Sequence, residues 1–185
     1  MSQTLTDRVK AILNTPTTGE QVQIAEINSA FSKFDNNFIP ACKIRNTTQS
    51  IPNNAFTAVQ FATTTLDTYS ARSEGAMADL VNDKIIIRKA GIYQCTFKSL
   101  WLAGTAAGVL RSDLMKNGAP NDTWFDPGVA GACSQIVTHE EVLAVNDEIS
   151  ARVFQTTGVA RSIDYNTYDH VLELSVVWLG AAVEV

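Results

Sequence analysis

The sequence predicts a mainly β protein, an antiparallel sandwich of the jelly-roll kind behind a short helical leader. Three observations lead there. After Phe38 the apolar residues recur with period two, the period of a half-buried strand. Turn-forming pairs then punctuate the chain every ~8–12 residues, the spacing of all-β sandwiches and barrels. Hydrophobic residues make up 45% of the 185 and charged residues 18%, enough apolar material for a packed core. Helical periodicity is confined to the start, which divides the chain into a helical attachment or trimerisation segment, 1–38, and a β knob, 39–185.

In the leader, Ser2 or Thr4 caps a first helix carrying Leu5, Val9, Ile12 and Leu13 at helical spacing, and Asn14-Thr15-Pro16 ends it. Thr18 followed by Gln21 is a capping-box pattern for a second helix. Ile24, Ile27, Phe31, Phe34 and Phe38 then alternate spacings of three and four, a heptad seam. Two readings stay open: the seam packs on its own domain, or it joins copies about an axis and docks on a larger body. A helix this short needs a partner in either case.

The knob begins with Lys43-Ile44-Arg45 as a short strand and Ile51-Pro52-Asn53-Asn54 as a turn. Ala55–Thr63, Thr64–Tyr69 and Lys84–Arg88 are rich in strand formers. Ile92–Leu102 alternates, with Tyr93, Cys95, Phe97 and Trp101 on one face. Val109–Lys116 is a further strand, ended by the turn signal Asn117-Gly118. Asn121–Gly131 reads as a long loop. Gln135–Leu143, Glu148–Gln155 and His170–Leu179 complete the set. In the last, Leu172, Leu174, Val176 and Trp178 share a face. Tyr93, Phe97, Trp101 and Trp178 are therefore candidates for the protomer core or for a seam between subunits.

Several function classes are excluded by what is missing. The net charge is −5 and the 14 Lys and Arg are scattered, so nucleic acid is not an expected partner. No apolar run approaches the ~20 residues of a membrane span. Residues 1–14 lack the apolar stretch of a secretory signal. Cys42, Cys95 and Cys133 are odd in number and far apart, which reads as free thiols. Thr138-His139-Glu140-Glu141 lacks the second histidine and the helix of a zinc motif. His170 reads as a strand-end residue. No nucleophile elbow or phosphate loop is present. No catalytic residue, metal or cofactor is expected. Arg111 and Asp113 alternate onto one polar face, expected to be solvated.

The best candidate for a contact surface is the predicted loop carrying Asn121, Asp122, Trp124, Phe125 and Asp126. Its aromatics can stack on a sugar or tuck against a neighbouring subunit. Asn121, Asp122 and Asp126 could alternatively offer oxygen ligands to calcium.

Four local patterns resemble the trimeric jelly roll of tumour necrosis factor and complement-type globular heads, over about Gln49 to Gly180. Lys89-Ala90-Gly91-Ile92-Tyr93-Gln94-Cys95-Thr96-Phe97 looks like that family's Gly-x-Tyr-x-Phe strand, with Cys95 where an aromatic is common. Leu114-Met115-Lys116-Asn117-Gly118 looks like its central hairpin. Leu143-x-Val145-Asn146-Asp147-Glu148-Ile149 looks like its Leu-x-x-Gly-Asp-x-Ile turn, with Asn146 standing where glycine is usual; asparagine tolerates the left-handed conformation. Ser175-Val176-Val177-Trp178-Leu179-Gly180 looks like its closing strand. The resemblance implies a homotrimer that buries a flat sheet face around a threefold axis, and it implies binding rather than catalysis.

The leader, with Thr18-Gly19-Glu20, Asn28 and Phe31-x-x-Phe34-Asp35, followed by such a knob, is similar to head-fibre, decoration and tail-fibre proteins of tailed bacteriophages. That likeness implies a virion structural protein, made in the host cytoplasm and displayed on the particle surface. Its expected partners are itself, major capsid or tail proteins, and a host surface glycan. The alternatives are a glycan-binding adhesin of a tail fibre and a secreted ligand of the same fold.

Overall fold

Alternation of buried and exposed side chains organises the described chain. The computed structural model describes residues 38–104, 108–128, 131–164 and 172–182. The predicted leader helices and Ile24, Ile27, Phe31 and Phe34 lie outside these residues, as does His170; Phe38 is the first residue described. From Ile39 onward the chain forms one unit.

Among the described residues there is no helix, and thirteen strands follow one another. They are β1 (Ala41–Asn46), β2 (Thr48–Ile51), β3 (Thr57–Ala58), β4 (Thr63–Asp67), β5 (Ala78–Asp79), β6 (Lys84–Ile86), β7 (Gly91–Trp101), β8 (Gly108–Lys116), β9 (Ala119–Gly128), β10 (Cys133–Leu143), β11 (Glu148–Gln155), β12 (Arg161–Asp164) and β13 (Leu172–Gly180). They make two sheets. The first runs β2-β12-β7-β13-β1-β4, with β10 also on β7. The second runs β5-β6-β11-β8-β9, with β3 also on β11. All pairings are antiparallel.

Strand β7 is the centre of the first sheet. Phe97 lies opposite Val137 of β10 on one edge and Leu174 of β13 on the other. Trp101 lies opposite Cys133 of β10 and Ile163 of β12. Its inward row, Tyr93, Cys95, Phe97, Ser99 and Trp101, is buried throughout. The inward rows of β10 (Gln135, Val137, Leu143) and β13 (Leu172, Leu174, Val176) flank it. Leu110, Leu114, Ile149, Ala151 and Val153 of the second sheet close the core from the other side. Burying side chains of this size contributes about 1.5–3 kcal/mol each.

A polar knot ties the two sheets together inside that core. The Oε1 of Gln135 accepts from the Trp101 indole N–H at 3.0 Å and from the Ser112 hydroxyl at 2.6 Å. The Gln135 Nε2 donates to the Leu110 carbonyl at 3.2 Å, and Ser99 and Ser112 share a 2.9 Å bond. Ser99, Trp101 and Gln135 come from the first sheet, Leu110 and Ser112 from the second. Among the described residues no buried side-chain nitrogen or oxygen lacks a partner.

Turns fall where left-handed residues are available. Asn117 and Gly118 have φ of 49° and 78°, the two positive values that a two-residue hairpin turn between β8 and β9 requires. Asn146 has φ 71°, as the sequence predicts for that turn. Gly91 is required by close approach: a Cβ there would lie 2.1 Å from the Trp178 Nε1 and 2.5 Å from the Gly180 carbonyl.

The structure departs from the sequence reading in four places. Ala55–Thr63 contributes only β3, because the segment crosses between sheets: the Val59 N–H bonds to Ala151 of β11 and the Ala62 N–H to Arg45 of β1. The short strands β2, β5 and β12 carry too few residues for a visible period. The predicted loop over 121–131 is largely strand, since β9 extends to Gly128. As an edge strand paired on β8, it needs no continuous alternation and tolerates Pro127, which has no N–H to donate. Asp113, expected to be solvated, is 0% exposed.

The three cysteines are free. Cys42 and Cys95 flank Val176 on neighbouring strands, two strand spacings or roughly 10 Å apart, beyond disulfide reach. Burial pushes the Cys95 thiol up to about 12 and raises Cys42 further.

Gln135→Leu keeps the volume but leaves the Trp101 N–H without an acceptor and removes the bonds to Ser112 and Leu110. We expect urea unfolding to show a loss of about 1–3 kcal/mol, the cost of one orphaned buried group. A loss below about 0.5 kcal/mol would mean the knot adds nothing to stability.

Candidate functional site

The contact residues predicted together are distributed by β9 over two sides. A bulge sets the split: Leu114 lies opposite Asp122 but Met115 opposite Pro120, so Asn121 is the extra residue. Its amide donates to Glu141 of β10, which also accepts from Lys116. On one side of β9, the Asp122 carboxylate lies 3.8 Å from His139 Nδ1, and Asp126 accepts from the Cys133 thiol at 3.0 Å. Trp124 opposes Ser112 and is half exposed. Asn121, Asp122 and Asp126 thus face three different partners. Among the described residues no group of three or more His, Cys, Asp or Glu is placed to hold a metal ion. Burial and the Asp126 carboxylate push the Cys133 thiol up to about 11.

On the other side, Thr123 and Phe125 join residues the sequence reading did not connect. Thr123 lies opposite Asp113 and Phe125 opposite Arg111. One strand further, Arg152 lies opposite Asp113 and Phe154 opposite Arg111. Ala58 of β3 opposite Arg152 places Phe56 over Phe154, with ring centroids 4.8 Å apart. Arg111, Arg152, Asp113 and the rings of Phe56, Phe125 and Phe154 therefore meet on one part of the outer face of the second sheet.

The carboxylate organises this face. Asp113 Oδ1 accepts from Arg111 Nε at 2.5 Å and from the Thr123 hydroxyl at 2.9 Å, and Oδ2 accepts from Arg152 Nε at 2.7 Å. The Arg111 guanidinium carbon lies 4.8 Å from the Phe125 centroid and 5.1 Å from that of Phe56, and Arg152 lies 4.2 Å from Phe56. Such cation–π contacts contribute about 0.5–2 kcal/mol each. Phe56 and Phe125 remain 50% and 59% exposed. Burial pushes the Asp113 carboxyl up, but the bonds from Arg111, Arg152 and Thr123 outweigh it and hold the group below the usual carboxylate range. Arg111-x-Asp113 and Arg152-x-Phe154 do share a two-residue spacing in sequence; what joins them is the β8–β11 register.

The other outer face, on the first sheet, has a different character. Ile136 and Val142 of β10, Val177 and Leu179 of β13 and Leu66 of β4 are all exposed there. Thr138, Thr96 and Ser175 form a hydroxyl row between them, with Thr138 and Thr96 bonded at 3.2 Å. Beside it Glu173, 3% exposed, is held by Arg45 at 2.7 Å and Lys43 at 3.3 Å. Tyr93, Phe97 and Trp101 are not on this face; each is 0% exposed inside the protomer. Trp178, partly exposed, lies at the end of the sheet against Gly91, with Lys89 4.3 Å over its ring.

No family model and no curated protein matches the chain. Among solved structures, the Eiger TNF from S. frugiperda matches at 12% identity, over 79% of this chain and 96% of that one, with a TM-score of 0.56. Murine APRIL matches at 13% identity, over 77% of this chain and all of that one, with a TM-score of 0.51. This is a TNF-like jelly roll. At such identity the likeness is one of fold, and it agrees with the resemblance read from the Gly91–Phe97 strand, the Asn117-Gly118 hairpin and the Asn146 turn.

The sign of the Asp113 shift yields a pH test. Because the folded state holds the carboxyl low, its stabilisation is complete above the unfolded value of about 3.9 and fades as pH falls through the folded one. Asp113→Asn should therefore cost about 1–3 kcal/mol at pH 7, with the gap to the parent protein closing in denaturation below about pH 4. A gap independent of pH down to 2 would remove the ionised carboxylate from the account.

Proposed function

We propose that this chain is a non-enzymatic, homotrimeric attachment or capsid-decorating module of a virion surface, with residues 1–38 as its anchor and the jelly roll as its exposed knob. The observation that carries the trimer is the outer face of the first sheet. It sets exposed Ile136, Val142, Val177 and Leu179 around a row of small hydroxyl residues, on a fold whose family resemblance implies threefold assembly. Covering that face with two further copies removes apolar surface from water at about 25 cal/mol per Å². In this reading the seam combines aliphatic and hydroxyl side chains with Lys98 and the bonded Gln94–Glu140 pair of the same face, while the large aromatics hold each protomer together.

The virion assignment rests on the layout of the chain, a heptad-patterned leader ahead of a knob, and on its similarity to fibre and decoration proteins. Capsid or tail proteins are the proposed seat of the leader. A host surface glycan is the proposed partner of the knob, supported by the exposed rings beside Arg111 and Arg152.

Light scattering after size exclusion should give about three times the 20.1 kDa protomer mass at micromolar concentration. A persistent monomer would discard the trimer. The double variant Ile136→Glu, Val177→Glu should run as a monomer with an unchanged β-type circular dichroism spectrum, since burying like charges in a seam is costly. A trimer unaffected by both changes would move the seam to another face. Gold-labelled antibody against the knob should decorate purified particles; unlabelled particles would end the virion assignment.

A further inference from the structure

We propose that the outer face of the second sheet binds an acidic saccharide, with its carboxylate or sulfate on the outer edges of Arg111 and Arg152 and its sugar ring against Phe125 or Phe56. This deepens the attachment reading and rests on it for its biological role; the chemistry belongs to a single protomer.

The geometry is that of a prepared anion clamp. Both arginines spend their Nε–H on the same buried carboxylate, Asp113. That fixes each guanidinium through its Nε. Arg111 Nη2 makes one long bond, 3.4 Å, to Thr123, and neither Nη of Arg152 finds an acceptor among the described residues. Since no buried side-chain nitrogen there lacks a partner, these groups meet solvent. The side chains are 21% and 27% exposed. Guanidinium edges match planar or tetrahedral oxyanions and bind them bidentately.

Charge and shape narrow the ligand class. Two cations against one carboxylate leave a single net positive charge, on a chain of net charge −5. One charge is too little for a general electrostatic field, so recognition must come from placement. Phe56 and Phe125 keep half or more of their surface in water on either side of Arg111, which leaves apolar ring faces for a ligand to cover. A pyranose bearing a carboxylate or sulfate ester supplies an oxyanion and an apolar C–H face within one ring. The donors sit on paired strands rather than on loops, so the arrangement needs little ordering on binding.

Calorimetric titration of the full chain with length-matched neutral, carboxylated and sulfated oligosaccharides tests this. Binding of the carboxylated or the sulfated member, with the neutral one silent, is the expected result, and the two acidic arms identify the source of the oxyanion. Phe125→Ala and Arg152→Gln should each weaken binding about tenfold or more, the value of one charged hydrogen bond or ring contact. Arg152→Lys, which keeps the charge and loses the fork, should weaken it similarly. Trp124→Ala, on the other side of β9, should leave it unchanged. If Arg152→Gln fails to fold, the exposed Phe125→Ala reads the same site.

Three results overturn the proposal: no member binds; the neutral sugar binds as well as the acidic ones; or Trp124→Ala weakens binding while Phe125→Ala does not. Displacement by inorganic sulfate at the sugar's own concentration would also overturn it, because the rings would then contribute nothing. The Ile136→Glu, Val177→Glu variant should bind as the parent does, so loss of the trimer and loss of the site are separate outcomes.

Discussion

One eleven-residue strand is paired along both edges and buried along one face, and the rest of the knob is arranged to meet its demands. Strand β7 takes β10 on one side and β13 with β12 on the other, so its backbone donors and acceptors are satisfied only if three distant segments converge. Its inward row needs a second sheet to cover it, which β8 and β11 supply. Gly91 begins the strand because Trp178 and the Gly180 carbonyl pass too close for any side chain. The start, the two neighbours and the cover of β7 therefore constrain one another.

Polar side chains are buried only where each atom is met. Gln135 uses its oxygen twice and its nitrogen once to join the two sheets, a geometry that tolerates little sliding between them. Gln155 does the same for the loop at 156–160: it accepts from Thr157 and donates to the carbonyls of Ile51 and Val159. Asp113 and Glu173 lie on the outer faces but are covered by their own cations. These pairs lock side chains in place more than they add stability, since desolvation offsets much of the attraction.

The two outer faces consequently differ in what they offer. The first sheet presents aliphatic side chains and small hydroxyls on a broad surface, suited to contact with like copies. The second presents rings and oriented guanidiniums, suited to a small anionic ligand. The predicted contact residues fall between these uses. Phe125 belongs to the second face, Trp124 points to the opposite side of β9, and Asn121 is diverted to Glu141 by a bulge. Nothing local in Asn121–Gly131 announces this, because an edge strand is free of the burial that writes a period into sequence.

Strand identity, turn positions and fold class could be read from the chain alone wherever burial is one-sided. Tyr93, Cys95, Phe97 and Trp101 alternate because one face meets the core, and Asn117-Gly118 and Asn146 mark turns because few residues accept positive φ. Which aromatics are core and which meet partners could not be read, because an inward face and a buried seam impose the same alternation. Nor could the meeting of Phe56, Arg111, Asp113, Phe125 and Arg152, which depends on the register of four strands lying between Thr57 and Gln155. Register is a property of paired backbones, so only the tertiary structure decides it.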